Sequence, residues 1–204
     1  MSETKQHRHG QRPRSIRRQL GIAAVEFALL AIVFFMFVFS MLEVTRAVYL
    51  FNTLQEITRR AATDAANSAF DPASTEAVRR RAMFSDANGD LILGFPVTPA
   101  HLKIDYLAVT GGASSSTLGM QIISALPSCP AENATNCLTD PYGASCIRLV
   151  QVRICQPTEG DECAAVPYQS VFPFIDLSMV TLPRATTIVP AQTLGNRPGA
   201  SACE

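Results

Sequence analysis

No ionisable side chain occurs between residues 27 and 42, and neither Gly nor Pro occurs from residue 22 to residue 70. No cysteine precedes Cys129, no two cysteines form a Cys-x-x-Cys pair, and His101 is the only histidine beyond residue 9. Each absence excludes something. A chargeless run of that length is not the surface helix of a soluble protein, which keeps a polar face. A stretch without Gly or Pro holds no strong helix breaker. Cysteines spaced 8, 9, 9 and 8 apart with one available His do not make a zinc site, so no metal or other cofactor is expected. A Ser-His-Asp arrangement would have to rest on His101, and no nucleophile elbow, phosphate loop or zinc-protease motif is present. Enzymatic activity is not expected. Asp86-Ala87-Asn88-Gly89-Asp90 is faintly like a calcium loop, but the twelfth position of that pattern is Val97, and the segment reads as a turn.

The sequence does have an uneven charge. Net charge is zero over 204 residues, yet residues 1–20 carry six basic side chains (Lys5, Arg8, Arg12, Arg14, Arg17, Arg18) against Glu3 alone. The remainder is correspondingly acidic. From Leu20 to Leu42 the only ionisable residue is Glu26. About 20 apolar residues in a helix span a hydrocarbon core of roughly 30 Å. Residues 34–39, Phe-Phe-Met-Phe-Val-Phe, are apolar on every side, as lipid contact requires. The basic arm precedes this run, so the positive-inside rule puts residues 1–20 in the cytoplasm and the rest across the membrane. A cleaved secretory signal fits less well, because its apolar core is about 7–15 residues and a small-residue cleavage site follows it. The arm itself is polar with Pro13, and His7 and His9 read as solvated. No globular basic surface follows, so a nucleic-acid partner is not expected.

Glu26 is out of place in an apolar run. A carboxylate at the bilayer centre costs roughly 2.5–3.5 kcal/mol on insertion scales, and less near the interface. Its setting is a basic leader, then Gly21-Ile22-Ala23-Ala24-Val25-Glu26-Phe27, then a long apolar helix. This resembles the processing site of type IV pilins and their relatives, which a membrane aspartyl prepilin peptidase cuts after the Gly. The resemblance implies cleavage of the Gly21-Ile22 bond, with Ile22 as the new N-terminus. It also implies Glu26 as an assembly charge that pairs with the α-ammonium of a neighbouring subunit, next to Phe27. Pairing lowers the cost of holding either charge in low dielectric. The continuation through Ala28-Leu29-Leu30, with Met41-Leu42-Glu43-Val44-Thr45-Arg46-Ala47-Val48-Tyr49 and Arg59-Arg60-Ala61-Ala62-Thr63-Asp64-Ala65-Ala66, is similar to the TadE-like family of tight-adherence (Flp-type) pilus assembly proteins. The family often has Pro soon after this opening, where Ala31 stands here. The resemblance covers residues 18–68. It implies a pseudopilin or minor-pilin role in the bacterial inner membrane, with other pilin-like subunits and the assembly machinery as partners.

The helical pattern outlasts the membrane. Leu50, Leu54, Ile57, Ala61, Ala65 and Ala69 recur at helical steps, which predicts an amphipathic continuation packed on the exported domain. Glu43 can meet Arg46 at helical spacing, for a few tenths of a kcal/mol. Asp71-Pro72 should end the run near residue 70, giving about 73 Å of helix. A second helix is expected over residues 73–84, with Arg79-Arg80-Arg81 pointing around it as a solvated face. Residues 91–95, 102–109, 147–155 and 179–189 are rich in branched side chains and suggest strands of a small antiparallel sheet. Residues 111–117 and 157–161 read as turns.

Cys129, Cys137, Cys146, Cys155, Cys163 and Cys203 all fall in the exported part, which fits an oxidising compartment and up to three disulfides. Fifteen connectivities are open. Spacing suggests Cys155 with Cys163 and Cys129 with Cys137.

The expected fold is therefore α+β: one long N-terminal membrane helix extending into a small, mainly antiparallel β exported domain. Its parts are a cytoplasmic leader (1–20), a transmembrane helix (21–42), an extramembrane continuation (43–70), a periplasmic, disulfide-containing α+β domain (71–192) and a loose tail (193–204). Two functions compete: a TadE-like pseudopilin processed at Gly21, and an uncleaved single-pass anchored extracytoplasmic binding module.

Overall fold

The computed structural model describes residues 17–83, 91, 93–111, 118–157, 162–175, 177 and 179–195, with only the backbone described at 17–20. The leader arm, the calcium-like segment, most of the two expected turns and Cys203 lie outside them. The chain divides into two compact units, Met1–Leu42 and Glu43–Glu204. The protein is α+β, with a long apolar N-terminal helix and a four-stranded antiparallel sheet.

Helix α1 runs Arg17–Asn67. In the first unit its side chains from residue 21 to 42 are almost all exposed, including Phe27, Phe34 and Phe37. Nothing in that unit covers them. Such a surface is stable only in an apolar medium, since exposed apolar patches of more than a few hundred Å² are rare on soluble monomers. Among the described residues α1 is the one helix long and apolar enough to cross a membrane. The first unit is read as a single-pass membrane anchor.

In the second unit α1 is amphipathic. Leu50, Leu54, Ile57, Ala61, Ala62, Ala65 and Ala66 are fully buried in the core cluster. Small alanines let the sheet approach the helix closely. Strands β1 (Leu102–Thr110), β2 (Gly119–Ile122), β3 (Leu149–Ile154) and β4 (Thr186–Pro190) form the order β2-β1-β3-β4, every pair antiparallel. Period-two alternation turns Ile104, Tyr106 and Ala108 of β1, and Val150, Val152 and Ile154 of β3, into the same core as the α1 stripe. On the other face Asp105 accepts from Arg153 Nε (3.1 Å) and Nη2 (2.6 Å). Thr58 of α1 meets Thr187 of β4 hydroxyl to hydroxyl at 3.0 Å.

Helix α2 (Pro72–Ala82) starts where the sequence signals it. Asp71 Oδ1 accepts from Ser74 N at 3.0 Å, and Pro72 occupies the first turn, where no N–H is needed. The arginine run is not a uniform solvated face. Arg79 donates to Leu102 O (2.9 Å) and Arg81 to Asp64 of α1 (3.0 Å), while Arg80 stays on Glu76.

Four expectations fail. Leu93 and Phe95 lie in a turn, not a strand, and Gly94 is packed so close to Leu91 that a Cβ would overlap its side chain at 2.3 Å. Of the strand expected over 179–189 only residues 186–189 are strand, in β4, and residues 130–139, for which no element was expected, are helix α3 (Pro130–Thr139), capped by Cys129. That helix explains the third failure. Cys129 and Cys137 stand eight residues apart along it, about 12 Å, beyond the reach of a disulfide. Cys137 is bonded instead to Cys146, at a Cα–Cα separation of 4.8 Å. Asn133 positions that partner: its amide donates to Ile147 O (3.4 Å) and accepts from Ile147 N (2.8 Å). Cys155 is bonded to Cys163, and Cys129 is also disulfide-bonded.

The fourth failure concerns the tail. Residues 193–195 are not loose. Gln192 N and Leu194 N both donate to Ala66 O, and Gly195 N donates to Asn67 O, so this segment caps the orphan carbonyls of α1. The helix therefore closes at Asn67, short of residue 70. Gly195 adopts φ +78°, and a Cβ there would come within 2.6 Å of Ala69 N, so glycine is required.

Candidate functional site

In the first unit, Gly21 lies inside α1 with no neighbour within 4 Å of where a Cβ would stand. Ile22 and Glu26 are one helical turn apart, and both are exposed. With Val25 and Leu29 they form one open helix face, so the suspected cut site, the suspected new N-terminus and the acid are brought to one side of one helix. Phe27 is exposed on the adjoining face.

The second unit contains a site that the sequence gave no reason to weight. Glu43 and Arg46 looked like an ordinary surface pair. They are 2% and 9% exposed, and Tyr168 beside them is 2% exposed. Glu43 Oε1 accepts from Arg46 Nη1 at 3.1 Å and from the Tyr168 hydroxyl at 2.5 Å. Its other oxygen accepts from Val171 N at 3.3 Å. The guanidinium also donates to three backbone carbonyls: Leu93 O from Nε (3.1 Å), Phe95 O from Nη2 (2.6 Å) and Gln169 O from Nη1 (2.9 Å). It stands 5.4 Å from the Tyr168 ring centroid, a cation–π distance. One arginine thus fastens two loops, residues 93–95 and 168–171, to the first turns of the second unit. Burial, reinforced by the hydrogen bond to Glu43, pushes the Tyr168 hydroxyl up to about 12, so it remains a donor at any physiological pH.

The signal that could have found this site is a pair of charges directly after an apolar run, together with the Tyr168-Gln169-Ser170-Val171 segment. Nothing in one sequence joins residues 43 and 168. His101 is held by Thr98. Thr98 N donates to its Nδ1 at 3.1 Å, and burial pushes its pKa down. Among the described residues no group of three or more His, Cys, Asp or Glu is arranged to hold a metal ion.

These features define a class: an α+β unit stapled by disulfides, carried on a single-pass helical anchor with an acid near its start. Within that class, residues 21–63 match the family model described as TadE-like protein, 43 of the 204 residues. The matched segment begins at Gly21 and takes in Glu26, Glu43 and Arg46. It bears out the TadE-like resemblance and supports a role related to tight-adherence pilus assembly. No curated protein and no solved structure matches the chain.

Proposed function

We propose that this protein is a pseudopilin or minor pilin that acts structurally in tight-adherence pilus assembly. A prepilin peptidase removes residues 1–21 at the inner membrane, and Ile22 becomes the mature N-terminus. Residues 43–204 are then periplasmic. The new α-ammonium and Glu26 of neighbouring subunits pair within the membrane and set the axial register of the assembly. The observation that carries this reading is the match that starts at Gly21, joined to the open face shared by Gly21, Ile22 and Glu26. A carboxylate on an otherwise apolar, lipid-accessible face favours association with an opposite charge over solitude in lipid.

Mass spectrometry of membrane-extracted protein from cells with an active prepilin peptidase tests the first step. The expected chain begins at Ile22. Recovery of only the full-length chain refutes processing and favours an uncleaved, anchored binding module. Glu26→Ala should insert normally and lower pilus output. Unchanged output from that variant removes the pairing step.

A further inference from the structure

We infer that the two loops fastened by Glu43 and Arg46 form an apolar collar that sits in the headgroup region of the membrane leaflet where α1 emerges. The inference rests on the reading of the first unit as a membrane anchor. Residues 22–42 form about 31 Å of helix, which matches a hydrocarbon core of roughly 30 Å. Peptide connectivity therefore puts Glu43 at the edge of the core. The loops are hydrogen-bonded to the side chains of residues 43 and 46 themselves, through Leu93 O, Phe95 O, Gln169 O and Val171 N. They cannot be far from lipid.

Their composition and exposure fit that position. With their carbonyls turned to Arg46, Leu93 and Phe95 are each 67% exposed, and Val171 and Phe174 are also open to the surroundings. Met179, next to the Val180 carbonyl that accepts from Tyr168 N at 2.8 Å, is 95% exposed. Neither residues 93–97 nor residues 169–175 include a charged side chain. Leu93 holds φ +56°, a left-handed conformation that a branched side chain rarely adopts, and the turn it makes directs two large apolar groups outward. On α1 at the same level, Val44 and Val48 are exposed as well. Contiguous exposed apolar side chains of this kind mark an interaction surface. Aromatic and aliphatic groups at a membrane boundary bury about 5–10 Å into the headgroup and acyl border. Among the described residues of these two loops and the α1 turn that holds them, the charges are Glu43 and Arg46, which are already paired and buried, so neither has to be stripped of water at that border.

The sequence has no tryptophan, so single substitutions give clean fluorescence probes. Phe95→Trp and Phe174→Trp would each be made in the full chain and reconstituted in phosphatidylcholine vesicles, some of whose lipid carries bromine near the top of the acyl chain. Phe34→Trp reports the anchor. Leu138→Trp, 87% exposed on α3, is the distant control: Asn133 of α3 is bonded to Ile147, the next residue Arg148 accepts from Ala191 N, and the following Gln192 N donates to Ala66 O, about 30 Å of helix beyond Arg46. The expected result is loss of emission from brominated lipid at Phe95→Trp and Phe174→Trp, as at Phe34→Trp, with none at Leu138→Trp. Emission at both collar probes that brominated lipid leaves unchanged overturns the inference. If aqueous acrylamide also fails to quench them, a second copy or another protein covers the loops. An unquenched Phe34→Trp sinks the anchor reading itself, and the collar with it.

Discussion

Replacing Arg46 with Met keeps most of the side-chain volume and removes the guanidinium. Donors are then withdrawn from Glu43, Tyr168 and the carbonyls of Leu93, Phe95 and Gln169. Glu43 is left at 2% exposure with the Tyr168 hydroxyl and Val171 N–H as its remaining side-chain partners. Breaking a buried pair by removing one partner costs about 3–5 kcal/mol. At about 2–4 °C per kcal/mol for a domain of this size, the second unit should melt roughly 6–20 °C lower. The comparison variant is Arg60→Met, which removes an i,i+4 Glu–Arg pair on the same helix, beside the i,i+3 spacing of Glu43 and Arg46. Arg60 and Glu56 meet at 2.8 Å but are 53% and 43% exposed, and such pairs are worth about 0.3–0.5 kcal/mol. Calorimetry of the detergent-solubilised chain with its disulfides intact reads both. A third variant, Glu43→Leu with Arg46→Met, removes both charges and should recover much of the loss, because no ion is left stranded. If Arg46→Met melts with Arg60→Met, close to the parent, the buried pair is not the fastening described above.

The remaining predictions use the same unit. The Tyr168 hydroxyl is raised from an ordinary 10.0 to about 12, so its contribution is whole below pH 10 and is lost as pH rises through 12. That loss is on the order of 2–3 kcal/mol. Phenolate absorbance should show one of the four tyrosines ionising last, and Tyr168→Phe should abolish that step; an unchanged titration in the variant refutes the assignment. Gly195→Ala should destabilise by about 1–2 kcal/mol, the cost of a left-handed alanine, before any clash with Ala69 is counted. Hydrogen exchange should accelerate at the last turn of α1 first, and uniform exchange would mean that residues 192–195 do not cap it.

The parts of the fold that were legible in the sequence are those where one face repeats. The anchor announces itself by the absence of charge in residues 27–42, and the buried stripe from Leu50 to Ala65 by its helical steps. Strand β3 alternates along its whole length, β1 alternates in sequence from Leu102 to Tyr106, and α2 carries an Asp-Pro start. What failed is set by partners distant in sequence. Helix α3 has a start signal in Ser128-Cys129-Pro130 with Glu132, whose carboxylate accepts from Ser128 N at 2.7 Å. Pairing Cys129 with Cys137 on spacing alone passed over that signal, and that disulfide assignment failed with it. Residues 193–195 read as the start of a loose tail, and their order comes from carbonyls of α1 that no local pattern displays. The candidate site divides the same way. Gly21, Ile22 and Glu26 were legible as a motif, whereas Tyr168 was invisible until the fold brought it to Glu43.

The choice of arginine at residue 46 follows from what it must satisfy. Its acceptors are a carboxylate, a phenol oxygen and three carbonyls, spread around a plane and each within 3.2 Å of a guanidinium nitrogen. A lysine ammonium has three donors on one atom and could neutralise Glu43, yet could not reach Leu93, Phe95 and Gln169 together. The demand is therefore geometric as well as electrostatic. Loops that carry exposed Leu93, Phe95 and Val171 would gain by folding inward, away from water. Fixing their backbones by the carbonyl oxygens and the Val171 N–H keeps those side chains outward. A buried ion pair is a costly way to add stability, but it is a specific way to hold apolar side chains on the outside of a domain. This function makes sense at the edge of a membrane and would be a liability in open solution.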